Sequence, residues 1–515
     1  MNNFDLPNLN LENENRQLIP RWVSSTDYIA ENSDNNIVYA IKASKPSLKK
    51  FFEESLSEWI SSGSIIHAVD LVGIAYLIGD FEHPSVKKAA DYILTHEKNV
   101  SNLALDLTHT WLRGLDKISN VIYRERDKNF YYSNIRILKK YVREYPLNPI
   151  AWLDAAYYYS LLGQKEKASK AITIALNINS ENTYILRSAS RFFVYQNRPD
   201  KALFYLRKAC NAKNDPQIMS AEIAISEISS TKSRLVKIAQ KNINNLLQNT
   251  AVSTELLASL STLEFLYGKR REGIRLIKEA LESPNENSLT QAVSLQNRGY
   301  IKYSIDLSSV NVAHRYEADS WIELKAGNYE KAFEEAKKWL IYQPISSRAA
   351  IYASYLASTA LRANENAIKI LSLVRHIHPY NSGIINNLAF AYASINEPRK
   401  AIEELRRIRH ITLDENSDAV ISATTGLVEF RKGNIESGRN HYHKAITFFK
   451  SKGDEVSLAR ASLIWGREEA RIGSDKADHI LAMSEKASRK KNLNEVLSYI
   501  DFILDAKKRE FFSIL

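Results

Sequence analysis

The sequence predicts an all-α protein, an α-solenoid in which antiparallel helix pairs stack into a right-handed superhelix. Three observations predict it. The chain is too long for one core, it is poor in turn-forming residues, and small and aromatic residues recur along it at a near-constant interval.

Length comes first. At 515 residues the chain exceeds the size at which a single hydrophobic core keeps growing, so it holds several domains or one extended array. Only 16 glycines and 12 prolines punctuate it, too few for the turns of a large β-protein or the tight loops of a large α/β enzyme. Apolar residues make up 44% and charged residues 25%, the balance of a folded protein rather than a disordered one.

The interval comes next. Between 149 and 176 the chain places Trp152, Ala155, Ala156, Tyr159, Gly163, Ala168, Ile172 and Ala175 in a spacing that returns with Ala202, 34 positions after Ala168 (202 − 168 = 34). Leu186, Ala189 and Phe193 precede Ala202, and Leu206 and Ala209 follow it. A second run carries Gly327, Tyr329, Ala332 and Ala336, then Ala367, Ala401, Gly438 and Ala445. A third lies around Leu257, Gly268, Gly273, Ile277 and Ala280. The pattern resembles that of tetratricopeptide repeats, most clearly over 149–212, 254–284 and 313–450. Its physical basis is close packing: small residues let paired helices approach, and no pair buries its apolar face without a neighbour.

Other segments are less regular. Residues 46–148 read as degenerate helical repeats, 285–312 as an irregular helical junction and 451–515 as a C-terminal helical cap. From Gly273 to Ala332 there are 59 positions, no whole number of standard repeats (332 − 273 = 59). Residues 1–45 read as a polar tail and an extended segment, with a short strand or extended stretch at 36–43 and Trp22 tying the segment to the first helices. Residues 73–84 resemble one degraded repeat.

Chemistry is hard to find. No glycine loop for phosphate, no nucleophile elbow and no paired metal-binding histidines on a helix occur. HisIleHis at 376–378 and HisTyrHis at 441–443 have a spacing of two, which points their side chains apart on a helix. One cysteine, Cys210, excludes a disulfide framework and fits a reducing cytoplasm. No catalytic residue, no metal and no cofactor are expected, so the chain reads as no enzyme. The start has no secretory signal, and no stretch is long and apolar enough to span a membrane.

The net charge of +11 favours acidic partners. Basic clusters at 269–275, 406–410, 489–491 and 507–509 read mainly as solvated helix faces. In the resembled family the first helix of each unit lines a concave groove. Carried onto this sequence, the inward positions are Tyr157; Tyr184, Arg187, Arg191 and Tyr195; Trp321 and Lys325; and Asn386 and Phe390. Steps of 3, 4 and 4 put Tyr184, Arg187, Arg191 and Tyr195 on one stripe, expected to stand open and to suit an acidic or carboxylate-bearing segment. The resemblance thus implies a non-catalytic scaffold or adaptor that holds a partner protein or peptide. The alternatives are RNA or DNA bound on the basic faces, or a regulatory sensor for a bacterial defence or toxin effector. The composition, rich in asparagine, isoleucine and lysine, suggests a bacterial source.

Overall fold

The computed structural model describes residues 16–22, 24, 45–78, 83–96, 100, 104–105, 108, 128–242, 250–302, 312, 314–408 and 411–509. The strand expected at 36–43 lies outside them, as do parts of the tail and of the 73–84 segment. Among the described residues there are 24 α-helices and no strand.

The chain forms two compact units, residues 24–130 and the remainder. In the smaller unit α1 (Lys45–Ser62), α2 (Ile65–Ile78) and α3 (Pro84–Thr95) follow one another. Phe52, Leu71, Val72, Val86 and Ile93 form their common core. The α2 sequence is apolar almost all round, which suits a helix packed between two others.

The larger unit is the solenoid. It begins with α4 (Lys128–Glu144), α5 (Pro149–Leu161), α6 (Lys165–Ile178), α7 (Thr183–Tyr195), α8 (Pro199–Lys208), α9 (Pro216–Ile228), α10 (Val236–Lys241), α11 (Thr250–Leu266) and α12 (Arg270–Ala280). It continues with α13 (Glu286–Asn297), α14 (Tyr316–Lys325), α15 (Tyr329–Tyr342), α16 (Ser347–Tyr355), α17 (Asn364–Val374), α18 (Ser382–Ser394) and α19 (Pro398–Ile408). The last five are α20 (Glu415–Arg431), α21 (Ile435–Lys452), α22 (Glu455–Arg471), α23 (Lys476–Lys491) and α24 (Asn494–Lys508). Consecutive helices pack as pairs, α5 with α6, α7 with α8, α11 with α12, α14 with α15, α16 with α17, α18 with α19, α20 with α21 and α22 with α23. First helices also touch the next first helix, as α7 touches α9 and α18 touches α20.

Local sequence explains the punctuation. Eight first helices start on a side chain that accepts from the helix's free N–H groups: Asn148, Asn182, Asp215, Asn285, Ser346, Asn381, Asp414 and Asp454. Second helices are entered through a residue in the left-handed region, and these residues mark the register. They run Gly163, Asn197, Ser230, Gly268, Gly327, Arg362, Asn396, Gly433 and Gly473, and Gly299, after α13, is left-handed too. Gly299 adds a left-handed residue within the interval of 59, 31 positions after Gly268 and 28 before Gly327 (299 − 268 = 31 and 327 − 299 = 28).

The seams are as tight as the small residues demand. Ala168, Ala202, Ala332, Ala367 and Ala401 are fully buried. A Cβ on Gly438 would collide with the Phe430 ring and lie 3.0 Å from Gly426 O.

Two features depart from a regular stack. The helix begun by α16 ends in a π-turn, Leu356–Ala360, whose wide spacing shows in the Leu361 N–H donating to Leu356 O at 3.0 Å. The superhelix also closes on itself. The turn after α17 docks on the first unit, where the His376 ring Nε2 lies 2.9 Å from Leu161 O and Tyr195 OH donates to Ile377 O at 2.7 Å. Farther along, α24 packs on the π-turn, and Tyr355 OH donates to Glu495 at 2.6 Å.

Candidate partner-binding groove

First helices line one face of the superhelix, and part of that face is covered by the chain's own segment 16–22. This segment is non-helical, and Leu18 and Trp22 are buried in the core of the first units. Trp22 meets Tyr157 and Phe192 edge to face, with ring centres 5.4 and 5.9 Å apart. Such contacts fix an indole in place as well as removing apolar area from water.

Two arginines hold the rest of the segment. Arg16 donates to Asn287 Oδ1 at 2.7 Å, to Gln291 Oε1 at 3.1 Å and to both carboxylate oxygens of Glu317, at 3.3 and 3.1 Å. Gln291 Nε2 returns a bond to Arg16 O at 2.9 Å, and Asn287 Nδ2 donates to Ile19 O at 3.2 Å. Arg21 forks onto Glu286 at 2.9 and 2.7 Å, and reaches Glu317 and Gln343 at 2.6 Å each. Burial by itself would raise the Glu317 carboxyl, but Arg16, Arg21 and Arg348 outweigh it and hold it at about 2. Glu286 goes the other way, raised by burial against the pull of Arg21. All three guanidinium groups converge on Glu317, Arg348 at 3.8 Å, so the buried charges are compensated as a set.

The sequence-predicted groove residues fall into two groups. Tyr157 is buried beneath Trp22. Tyr184 packs against the same core, and Arg191 is buried. Tyr195 is spent on the closure, bonded to Ile377 O and packed edge-on against His378, with Lys165 Nζ 5.0 Å from its ring centre. Arg187 donates to Glu255 at 2.8 Å and to Gln217 O at 3.1 Å. The expectation of an open stripe on α7 is therefore corrected: Arg187 and Tyr195 are bonded within the fold and Arg191 is buried, while Tyr184 is half-buried against the core.

The second group lines open space. Trp321 and Lys325 border a cavity of about 290 Å3 together with Tyr355, Arg460 and Glu495. Asn386 and Phe390 border a neighbouring cavity of about 110 Å3, which shares Tyr355 and Arg460 with the first. The Arg460 guanidinium lies 4.2 Å from the Tyr355 ring centre and 4.0 Å from Glu495. Tyr355 was legible after all, since it sits one repeat after Trp321 and one before Phe390. Arg16, Arg21, Glu286 and Glu317 carry no local signal, because their partners lie hundreds of positions away.

Other sequence features resolve plainly. Among the described residues no group of three or more His, Cys, Asp or Glu could hold a metal ion. His378 is buried, and burial, with the positive charges of Lys165 and Arg191, pushes it down to about 3. His441 faces Ser422. The basic clusters are paired in part, Arg275 with Glu272 at 2.5 Å, Arg407 with Glu404 at 3.7 Å, Arg489 with Glu485 at 2.7 Å and Lys507 with Asp478 at 2.6 Å. A separate open cleft of about 880 Å3 on α6 and the α7–α8 turn carries Lys165, Lys170, Arg198 and Lys201. Cys210 is exposed. Among the described residues no helix is long and apolar enough to cross a membrane.

No family model matches the sequence, and no curated protein matches it either. Solved helical structures do align. One is a human IFIT1 dimer with PPP-AAAA, 16% identical over 88% of this chain and 93% of that chain, with a TM-score of 0.32. Another is the yeast Tom70 crystal structure, 13% identical over 75% of this chain and 97% of that chain, at 0.29. A human IFIT1 dimer with m7Gppp-AAAA aligns over 88% and 93% with 17% identity and a TM-score of 0.26. The α-solenoid architecture stands on the helix pairs described above.

Proposed function

We propose that this chain is a non-catalytic binding scaffold that holds a polypeptide segment of a partner protein in its superhelical groove. One observation carries the reading. The groove already receives a polypeptide, residues 16–22, through a bidentate arginine, a backbone-to-amide bond and an edge-on tryptophan. A surface shaped to take main-chain and side-chain groups of its own chain has the means to take those of another. The open stretch from Trp321 to Phe390 is where a partner would lie. We place the chain in the cytoplasm of a bacterium, with an adaptor role or a sensor role for an effector as its setting.

A second reading has one observation behind it. The cleft of Lys165, Lys170, Arg198 and Lys201, with the net charge of +11, suits the phosphates of RNA or DNA. One experiment separates the two. The full chain is used to select from a peptide-display library and, in parallel, is titrated with single-stranded RNA at several salt concentrations. The peptide reading expects enriched sequences whose affinity drops at least about tenfold on Phe390→Glu, with helical content unchanged. Steeply salt-dependent RNA binding with no enriched peptide would overturn it.

A further inference from the structure

We propose that the cavity bordered by Trp321 and Lys325 seats a pair of acidic side chains, glutamate or aspartate, on an extended stretch of the bound polypeptide. This rests on the polypeptide reading above and adds to it the chemistry of the partner.

A stripe on α13 leads to the cavity. Asn287, Gln291, Ser294 and Arg298 follow steps of 4, 3 and 4, which puts them on one face of the helix and its C-terminal cap. The first two already carry main chain. Asn287 Nδ2 donates to Ile19 O at 3.2 Å, and Gln291 Nε2 donates to Arg16 O at 2.9 Å. The last two line the cavity. From Gln291 to Arg298 is about 10 Å along the helix axis, a span that about three extended residues cover. The cavity is the next station on a track whose earlier stations hold backbone.

Charge reverses along that track. Where segment 16–22 lies, Glu286 and Glu317 receive the guanidinium groups of Arg21 and Arg16. At the cavity the lining carries Arg298, Lys325, Arg460 and Lys491, and Glu495 is the one acid among the described lining residues. Glu495 accepts from Tyr355 OH at 2.6 Å and lies 4.0 Å from Arg460, so those two charges compensate each other. Part of the rest answers helix ends, since α13, α14 and α23 all finish here. Each end presents about half a unit of negative charge, which offsets roughly half of what Arg298, Lys325 and Lys491 carry. The start of α24 at Asn494 adds the opposite sign. The cavity therefore stays positive and favours an anion.

Reach and room select side-chain carboxylates. Lys325 and Lys491 are exposed and rise from two different helices, one cation for each carboxylate of a pair. At about 290 Å3 the cavity is roughly twice the volume of about 150 Å3 that holds benzene. A glutamate side chain has fewer heavy atoms than benzene, so two of them fit. Trp321 and Tyr355 give their methylene groups an apolar wall. Acids two positions apart on an extended chain point to the same side, as such a pair requires.

The test uses the full chain and end-blocked, rhodamine-labelled peptides read by fluorescence anisotropy. The probe is AlaGluLeuGluAla, with glutamine and lysine counterparts. Expected is binding of the acidic peptide at least about tenfold tighter than the glutamine one, and none of the lysine one. Lys325→Glu with Lys491→Glu lowers that affinity at least about tenfold, whereas Arg270→Glu with Arg271→Glu, the same charge change on the outer helix α12, leaves it unchanged. Circular dichroism confirms folding, and Lys325→Gln with Lys491→Gln serves if the first variant does not fold. Equal affinity for the glutamate and glutamine peptides overturns the proposal, as does a loss that the α12 variant reproduces. Displacement of the peptide by a lower concentration of oligouridylate would make the cavity a phosphate site and overturns it too. If the peptide binds only after Asp5→Asn, Glu12→Gln and Glu14→Gln, acids of the chain itself are the occupant and the partner proposal falls. Display selection separates the two readings. Enriched peptides that lack acids yet lose affinity on Phe390→Glu sink the acid pair while the polypeptide reading stands. A library that yields no peptide sinks both.

Discussion

Arg21 and Glu317 meet at 2.6 Å across 296 positions of sequence, and the carboxylate they share with Arg16 is 1% exposed. Segment 16–22 is thus held to the middle of the solenoid by charge. Glu317→Gln leaves Arg16 buried without its counter-ion, and the expected loss is roughly 3–5 kcal/mol. Urea denaturation reads it, with faster amide exchange over 16–22 as the local signature. An unchanged midpoint would mean that the arginines find compensation elsewhere.

Acid should act on the same carboxylate. Its folded pKa of about 2 lies below the ordinary 4.5, so its contribution is present above pH 4.5 and is lost as pH falls through about 2.

His378 sets a second pH window. Burial and the charges of Lys165, Arg191 and His376 push it from 6.5 to about 3, so between those values the unfolded chain binds a proton that the folded chain refuses. Stability therefore falls as pH drops from 6.5 toward 3. His378→Leu should flatten that slope by about one proton in a stability-against-pH series. An identical slope would place the titration elsewhere.

Ala168→Leu and Ala401→Leu test the register in two separate stretches of the array. Both alanines are fully buried in helix seams, and each change should destabilise by roughly 1–3 kcal/mol through overpacking. Thermal melts that match the unaltered protein at both sites would contradict the packing described.

Arg187 tests how groove and fold are shared. Because it bonds Glu255, Arg187→Glu places two acids face to face and should lower stability as well as any partner affinity. The exchange Arg187→Glu with Glu255→Arg should recover part of the loss. A double variant no better than the single one would show that the pair is incidental.

The solenoid was legible because close packing leaves a mark at fixed intervals: Ala168, Ala202 and Ala401 are small where helices touch. Trp22 was legible as a tie to the first helices, which its contact with Tyr157 bears out. The burial of Tyr157, Arg191 and Tyr195 was not. The inward offsets name a face, but what covers that face is a segment and a turn whose pairing depends on the pitch of the whole superhelix. Likewise the left-handed turn at Gly299 was hidden, since a left-handed glycine matters only once the turn is seen. The π-turn at Leu356–Ala360 leaves no compositional mark.

The order of synthesis gives segment 16–22 a history. Arg21 is made 322 positions before Gln343, which receives it. At about 5–20 residues per second the segment waits roughly 15–65 s before its site exists. Trp22 meets its partners once Phe192 is made, while Arg16 and Arg21 wait for Asn287 and Glu317. Units contacting only their neighbours can fold as they emerge. The covered groove and the closure at Tyr195 and Ile377 wait for the middle of the chain, residues that follow segment 16–22 by hundreds of positions.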